Sequence, residues 1–172
     1  MAPDYLYETA AQGNCPALFP AGIFNYDGQT IVIWDKSGYM SPEDALKSLA
    51  GSYSGGSRGA FLDLACMVFG AALAAEDWLI PPQALDLRME RVGCDLSTKT
   101  VRFSLGSAGS LQAYKGYYSG KDLAALFELL REAFSGAVPG VPCPLEALEK
   151  RTITEDLGIR SIIKQLGLMR MR

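Results

Sequence analysis

The sequence predicts an α+β fold, and three observations carry that expectation. Two separate hairpin patterns are rich in β-branched and aromatic residues, one helix pattern is apolar on every face, and amphipathic helix patterns gather toward the C-terminus. At 172 residues, with 49% hydrophobic and 20% charged side chains, the chain has the length and composition of one ordinary domain with its own core. Strands that arrive in hairpins, rather than singly between helices, argue against a doubly wound parallel sheet.

Taken in order, residues 1–14 are small and polar without periodicity and read as a flexible lead-in. A single domain is expected over 15–168, with a basic tail at 169–172. Residues 17–26 run into Asp27-Gly28, a dipeptide that tolerates the left-handed backbone of a two-residue hairpin turn. Gln29, Thr30, Ile31, Val32, Ile33 and Trp34 then form the return strand. Ser41 offers an N-cap, Pro42 fits the first helical position and Asp44 stands three residues after the cap, so a short helix to about Ala50 is expected. The segment from Gly51 to Gly59 reads as a flexible linker. Its rival reading is a phosphate-cradling loop at a helix N-terminus, but it follows a helix rather than a strand and lacks the lysine and hydroxyl of a P-loop.

From Gly59 to Trp78 bulky apolar residues fall all round the helix, among them Phe61, Leu62, Leu64, Met67, Val68, Phe69 and Leu73, which places it at the centre of the domain. Pro81-Pro82 is expected to end it. Its uncharged run over 64–75 is short of the roughly 20 apolar residues a membrane span needs. Residues 84–92 alternate in the strand manner, Asp95 to Lys99 resembles a turn, and Thr100 to Leu105 completes a second hairpin. Ser119 and Asp122 repeat the cap pattern ahead of a helix whose one face carries Leu123, Leu126, Phe127, Leu130 and Phe134. After a proline- and glycine-containing break at 136–144, a helical turn over 145–150 and a last helix from Thr154, bearing Leu157, Ile159, Ile162, Ile163 and Leu166, finish the chain.

The chemistry available is limited. The chain contains no histidine, which removes the commonest general base and metal ligand. A net charge of −3 gives no general attraction to nucleic acid, and nucleic-acid binding is not expected. Cys15, Cys66, Cys94 and Cys143 are far apart and form no CxxC pair, so neither a zinc ribbon nor a redox pair is suggested. The N-terminus carries no basic region leading into an apolar run, and a cytoplasmic location is expected. Glu76, Asp77 and Asp86 are the carboxylates best placed for acid–base work, with a solvated helix end and a strand position as their plainer reading. Glu76 and Asp77 oppose the helix dipole, so a cation is expected to hold them, with Arg58, Arg88 and Arg91 as the candidates.

No catalytic, cofactor-binding or metal-ligating set is assigned, and no cofactor is expected. The one candidate interaction surface is Tyr114, Lys115, Tyr117, Tyr118 and Lys121, where tyrosines interleave with lysines. Such a mixture suits a protein partner, and it equally suits amphipathic tyrosines packed over a core. From Lys150 to Arg172 six cationic residues face two acidic ones, leaving the preceding body acidic. This basic stretch either docks by its isoleucine face onto that body or contacts an acidic partner or a membrane.

Several of these segments also resemble a known family. Phe24 to Gly38, Ser41 to Leu46, the buried helix, Leu79 to Leu87 and Lys99 to Phe103 are similar to a bacterial domain of unknown function from Gram-positive organisms, often found ahead of a forkhead-associated domain. That domain is in turn similar to the degenerate kinase-like cytoplasmic domain of the EssB family in type VII secretion. The resemblance implies a degenerate protein-kinase-like fold and covers about 15–168. It puts Leu79 to Leu87 in the place of a kinase catalytic loop and Ser104-Leu105-Gly106 in the place of the metal-binding Asp-Phe-Gly. Ser104 cannot hold magnesium as an aspartate would, and Lys36 falls at the end of its strand, away from a nucleotide lysine's position. The resemblance therefore implies a non-catalytic, pseudokinase-like interaction or scaffold module in bacterial signalling or secretion. The alternative is a nucleotide-binding protein or small enzyme using the Gly51–Gly59 loop.

Overall fold

The computed structural model describes residues 4–52, 56–106 and 116–172. Among them the chain is α+β, with helices making up most of the regular structure and two small antiparallel sheets. Helix α1 covers Asp4–Ala11, strands β1 and β2 cover Ala21–Tyr26 and Gln29–Trp34, and helices α2 and α3 cover Pro42–Ser52 and Gly56–Asp77. Strands β3, β4 and β5 come next at Leu85–Asp86, Val92–Asp95 and Thr100–Leu105, and helices α4, α5 and α6 at Gly120–Ala137, Glu146–Glu155 and Ile159–Arg170.

Where local signals are strong, the expected elements form. Strands β1 and β2 pair from Ala21 opposite Trp34 to Tyr26 opposite Gln29. Asp27 and Gly28 both take positive φ, 49° and 72°, the pair of left-handed residues that a two-residue turn uses to match strand twist. The Ser41 hydroxyl accepts the Asp44 amide at 3.1 Å at the start of α2, and Ser119 and Asp122 form a reciprocal capping box at the start of α4.

Helix α3 is the organising element. Its buried residues include Ala60, Phe61, Leu64, Val68, Phe69 and Ala72, distributed round the helix, and it packs against α2, α4, α6 and β5. By length and composition it could cross a membrane, yet more than half of its most apolar window is buried inside the protein. Phe61 stacks obliquely on Phe134 and Phe69 on Phe127, with ring centroids 4.6 and 5.0 Å apart, so α3 and α4 run antiparallel along a shared aromatic seam.

The prolines do not terminate α3 directly. The chain leaves the helix at Asp77 through a Schellman closure, in which the Ile80 amide donates to Ala75 O and the Leu79 amide to Glu76 O, both at 2.9 Å. Leu79 occupies the left-handed position usually given to glycine, at φ 56°. Buried Ile80 and Ala75 supply the apolar contact that accompanies this motif.

Five further expectations are corrected. The lead-in contains α1, a helix whose Leu6 and Ala10, one turn apart, are buried in the core. The linker is shorter than expected: Gly51 and Ser52 finish α2, Gly56 to Gly59 open α3, and 53–55 lie outside the described residues. The strand expected over 84–92 is not continuous. The Asp86 carboxylate accepts the Arg88 amide at 3.3 Å, turning the chain into a single 3-10 turn at Met89–Arg91. The sheet order is consequently β3-β5-β4, with β5 central, and the hairpin proper is β4–β5.

The last two corrections concern the C-terminal helices. Helix α5 runs on through Thr154 and Glu155, and the Thr152 and Thr154 hydroxyls bond back to carbonyls inside it at 2.8 Å rather than capping a new helix. Asp156 then turns left-handed at φ 51°, and α6 starts at Ile159 rather than Thr154. Met169 and Arg170, expected in a basic tail beyond the domain, belong to α6.

Candidate functional site

Leu85 and Asp86 of β3 pair with Leu105 and Ser104 of β5, so that Asp86 and Ser104 stand directly opposite one another. Arg88 grips the Asp86 carboxylate with two guanidinium bonds of 2.9 and 2.6 Å, and Arg91 lies 3.9 Å from the same group. The Arg88 hydrogen bonds hold the Asp86 carboxyl below its ordinary pKa, overcoming the opposite effect of burial. A carboxylate so neutralised is a poor proton acceptor at neutral pH and offers little charge to a metal ion. Ser104 is buried and its hydroxyl donates to Arg91 O at 3.1 Å. The pair therefore braces the sheet. Lys36 is also engaged, donating to Glu90 O at 2.5 Å.

This arrangement has a pH signature. Because its folded-state pKa is depressed, Asp86 contributes stability that is fully present above its unfolded value near 3.9 and is lost as pH falls through the folded value. Asp86→Asn should lower the unfolding free energy by about 1.5 kcal/mol at neutral pH, as expected for losing a charge-assisted hydrogen bond. The gap between wild type and variant should close on titration from pH 6 toward pH 2, read from urea unfolding midpoints. A gap that stays constant across that range contradicts the clamp.

The other carboxylates are likewise engaged, though not by the cations expected. Glu76 accepts the Tyr118 amide at 2.7 Å, and Asp77 lies 3.6 Å from Arg160 of α6. All four cysteines are free thiols. Burial raises each of their pKa values, that of Cys94 to about 12, so they remain protonated hydrophobes at neutral pH. Among the described residues no three His, Cys, Asp or Glu side chains gather as a metal site.

Of the candidate interaction surface, Tyr114 and Lys115 lie outside the described residues. Tyr117 and Lys121 are exposed. Tyr118 is not surface at all: its ring is buried and its hydroxyl donates to Ile80 O at 2.7 Å, locking the start of α4 onto the Schellman closure of α3. The tyrosine-rich stretch is thus divided between core and surface. Trp78 and Leu79, at the end of α3, are exposed.

Helix α6 docks. Ile159, Ile162 and Leu166 are buried, and Arg170 pairs with Asp63 of α3 at 2.7 Å. The isoleucine face that a membrane or partner would have taken is occupied by the protein's own body.

A larger exposed apolar surface lies on the first hairpin. The register puts Phe24, Tyr26, Ile31 and Ile33 on one face, at 55, 75, 43 and 58% exposure, while Ile23, Val32 and Trp34 face the other way and are half-buried. The Tyr7 ring of α1 sits 6.5 Å from the Trp34 ring on that inner side. Neither strand carries a charged residue. The period-2 pattern is legible in the sequence, but which face is covered is not, because residues 1–14 carry no periodicity that announces α1. Comparison with known proteins adds no family: no family model matches the chain, and no curated protein matches it significantly.

Proposed function

We propose that this chain is a non-catalytic protein-interaction module of degenerate kinase-like architecture, acting in bacterial signalling or secretion. The observation that supports it is the uncovered face of β1 and β2. Four large apolar side chains side by side on an uncharged sheet face exceed the scattered apolar residues of an ordinary surface and mark contact sites. Both strands also have an open edge, since among the described residues the sheet contains these two strands alone. The partner this suits is a protein presenting an uncharged apolar strand or sheet face, joined through side chains and through edge pairing. The engagement of Asp86, Ser104 and Lys36 within the fold favours this reading over phosphoryl transfer.

The test is crosslinking and capture from a native cell with wild type, Phe24→Lys and Ile33→Lys. Each variant should weaken the captured complex at least about tenfold, the effect of losing one buried anchor. Stability should change by no more than about 0.5 kcal/mol, since both side chains are exposed. An unchanged set of partners, or a thermal shift with ATP and magnesium accompanied by phosphoryl transfer, overturns the proposal.

A further inference from the structure

Two hollows of about 330 and 200 Å³ meet along the flank of α3 that faces the β4–β5 turn, and Cys66, Met67 and Lys99 line both. Gly70, Ala71 and Ala74 of α3 form the floor of the larger one, and Val101 of β5 stands at its side. Gly70 is anomalous. A glycine inside a helix costs about 1 kcal/mol relative to alanine, and such glycines are usually retained for a left-handed backbone or a close approach. Neither reason holds here: Gly70 is not among the positive-φ glycines, and a Cβ added to it would meet nothing within 4 Å. The missing side chain leaves open space in the hollow.

The charge at this place is equally specific. Arg170, at the far end of the smaller hollow, is paired with Asp63. Lys99, where the two hollows join, has no ion-pair partner among the described residues. Its backbone is held in the β4–β5 turn at φ 54°, a turn fixed by bonds from the Ser97 and Thr98 amides to the Asp95 carboxylate. An apolar trough with one available ammonium at its lip and a paired arginine beyond it matches a ligand with one negative charge and an apolar body. Among the described lining residues, dianions and polyphosphates would face one unpaired cation and the Asp63 carboxylate. Burial raises the pKa of the Cys66 thiol, so it is protonated at neutral pH and brings no negative charge to the groove.

We propose that this groove binds a small amphipathic monocarboxylate, its carboxylate on the Lys99 ammonium and its acyl or aryl body over Met67, Gly70, Ala71 and Ala74. The proposal is independent of the hairpin face, which lies on different strands. Sodium decanoate is the probe and 1-decanol the uncharged control, measured by calorimetry and by amide chemical shifts in the full chain. Wild type should bind decanoate saturably and about tenfold more tightly than decanol, the worth of one ion pair at a partly desolvated lip. Lys99→Gln should erase that preference. Gly70→Leu should abolish binding of both probes by filling the floor while leaving the melting temperature equal or higher, since its Cβ meets nothing within 4 Å and leucine is the better helix former. Absence of saturable decanoate binding by wild type in the millimolar range overturns the proposal, as does unchanged affinity in Gly70→Leu or a preserved carboxylate preference in Lys99→Gln.

Discussion

Phe69→Ala should lower the unfolding free energy by about 4 kcal/mol, within the usual cost of deleting a buried aromatic ring from a core that cannot collapse around the space. Phe69 lies in the middle of α3, fully buried, with the Phe127 ring of α4 against it. Two turns away Phe61 and Phe134 make the second contact of the same seam, so the backbones of α3 and α4 are held apart at a distance set by both pairs. A cavity at Phe69 therefore stays open. Phe127→Ala should cost a similar amount, and the double variant less than the two costs combined, by about 1 kcal/mol, because an aromatic pair carries interaction beyond its buried area. Urea unfolding with an unchanged m-value is the measurement. A loss below about 1.5 kcal/mol would mean that the seam relaxes and that α3 is not the rigid centre of the fold.

Gly120→Ala should cost about 3 kcal/mol, toward the upper end of overpacking penalties, although alanine is the better helix former. A Cβ at Gly120 would stand 3.1 Å from the Thr152 carbonyl carbon and 3.2 Å from the Asp156 Cα, and closer still to the Thr152 oxygen. These are backbone atoms, so no rotamer change relieves the collision. The Gly120 amide also donates to the Asp156 carboxylate at 2.6 Å, a bond that separating α4 from α5 would break. Gly70→Ala is the control, because its added methyl meets nothing within 4 Å, and it should instead raise stability by about 1 kcal/mol. Opposite signs at two helical glycines would show that packing, and not helix propensity, decides the first. A Gly120→Ala variant as stable as wild type would refute the close approach of α4 and α5.

The elements legible in the sequence share one property: each is decided within a few residues. Asp27-Gly28 makes its turn from its own backbone preferences, Ser41 with Asp44 and Ser119 with Asp122 close their caps across three residues, and α3 declares its burial by having no polar face. Most of the elements that depart from expectation depend on a distant partner. Asp4–Ala11 is helical with Leu6 and Ala10 in the core, although its local pattern is weak. Residues 84–92 alternate like a strand, yet Asp86 turns the chain and β5 accepts only Leu85 and Asp86 beside it. Thr154, Glu155 and Asp156 resemble a helix start, but the Asp156 side chain is taken by Gly120, 36 residues earlier. The tyrosine-rich stretch reads as a surface because Tyr118 gives no local sign that Ile80 O awaits its hydroxyl.

The candidate sites divide in the same way. The α+β class, the first hairpin, the capped helices and the buried central helix are all written in the chain itself, because backbone preference, capping and apolar periodicity act over short distances. Three features needed the folded molecule: the clamping of Asp86 by arginines, the uncovered face of β1 and β2, and the groove that Gly70 opens beneath Lys99. These depend on which surfaces other elements cover and which cations remain unpaired, quantities that exist only once the chain has been brought together.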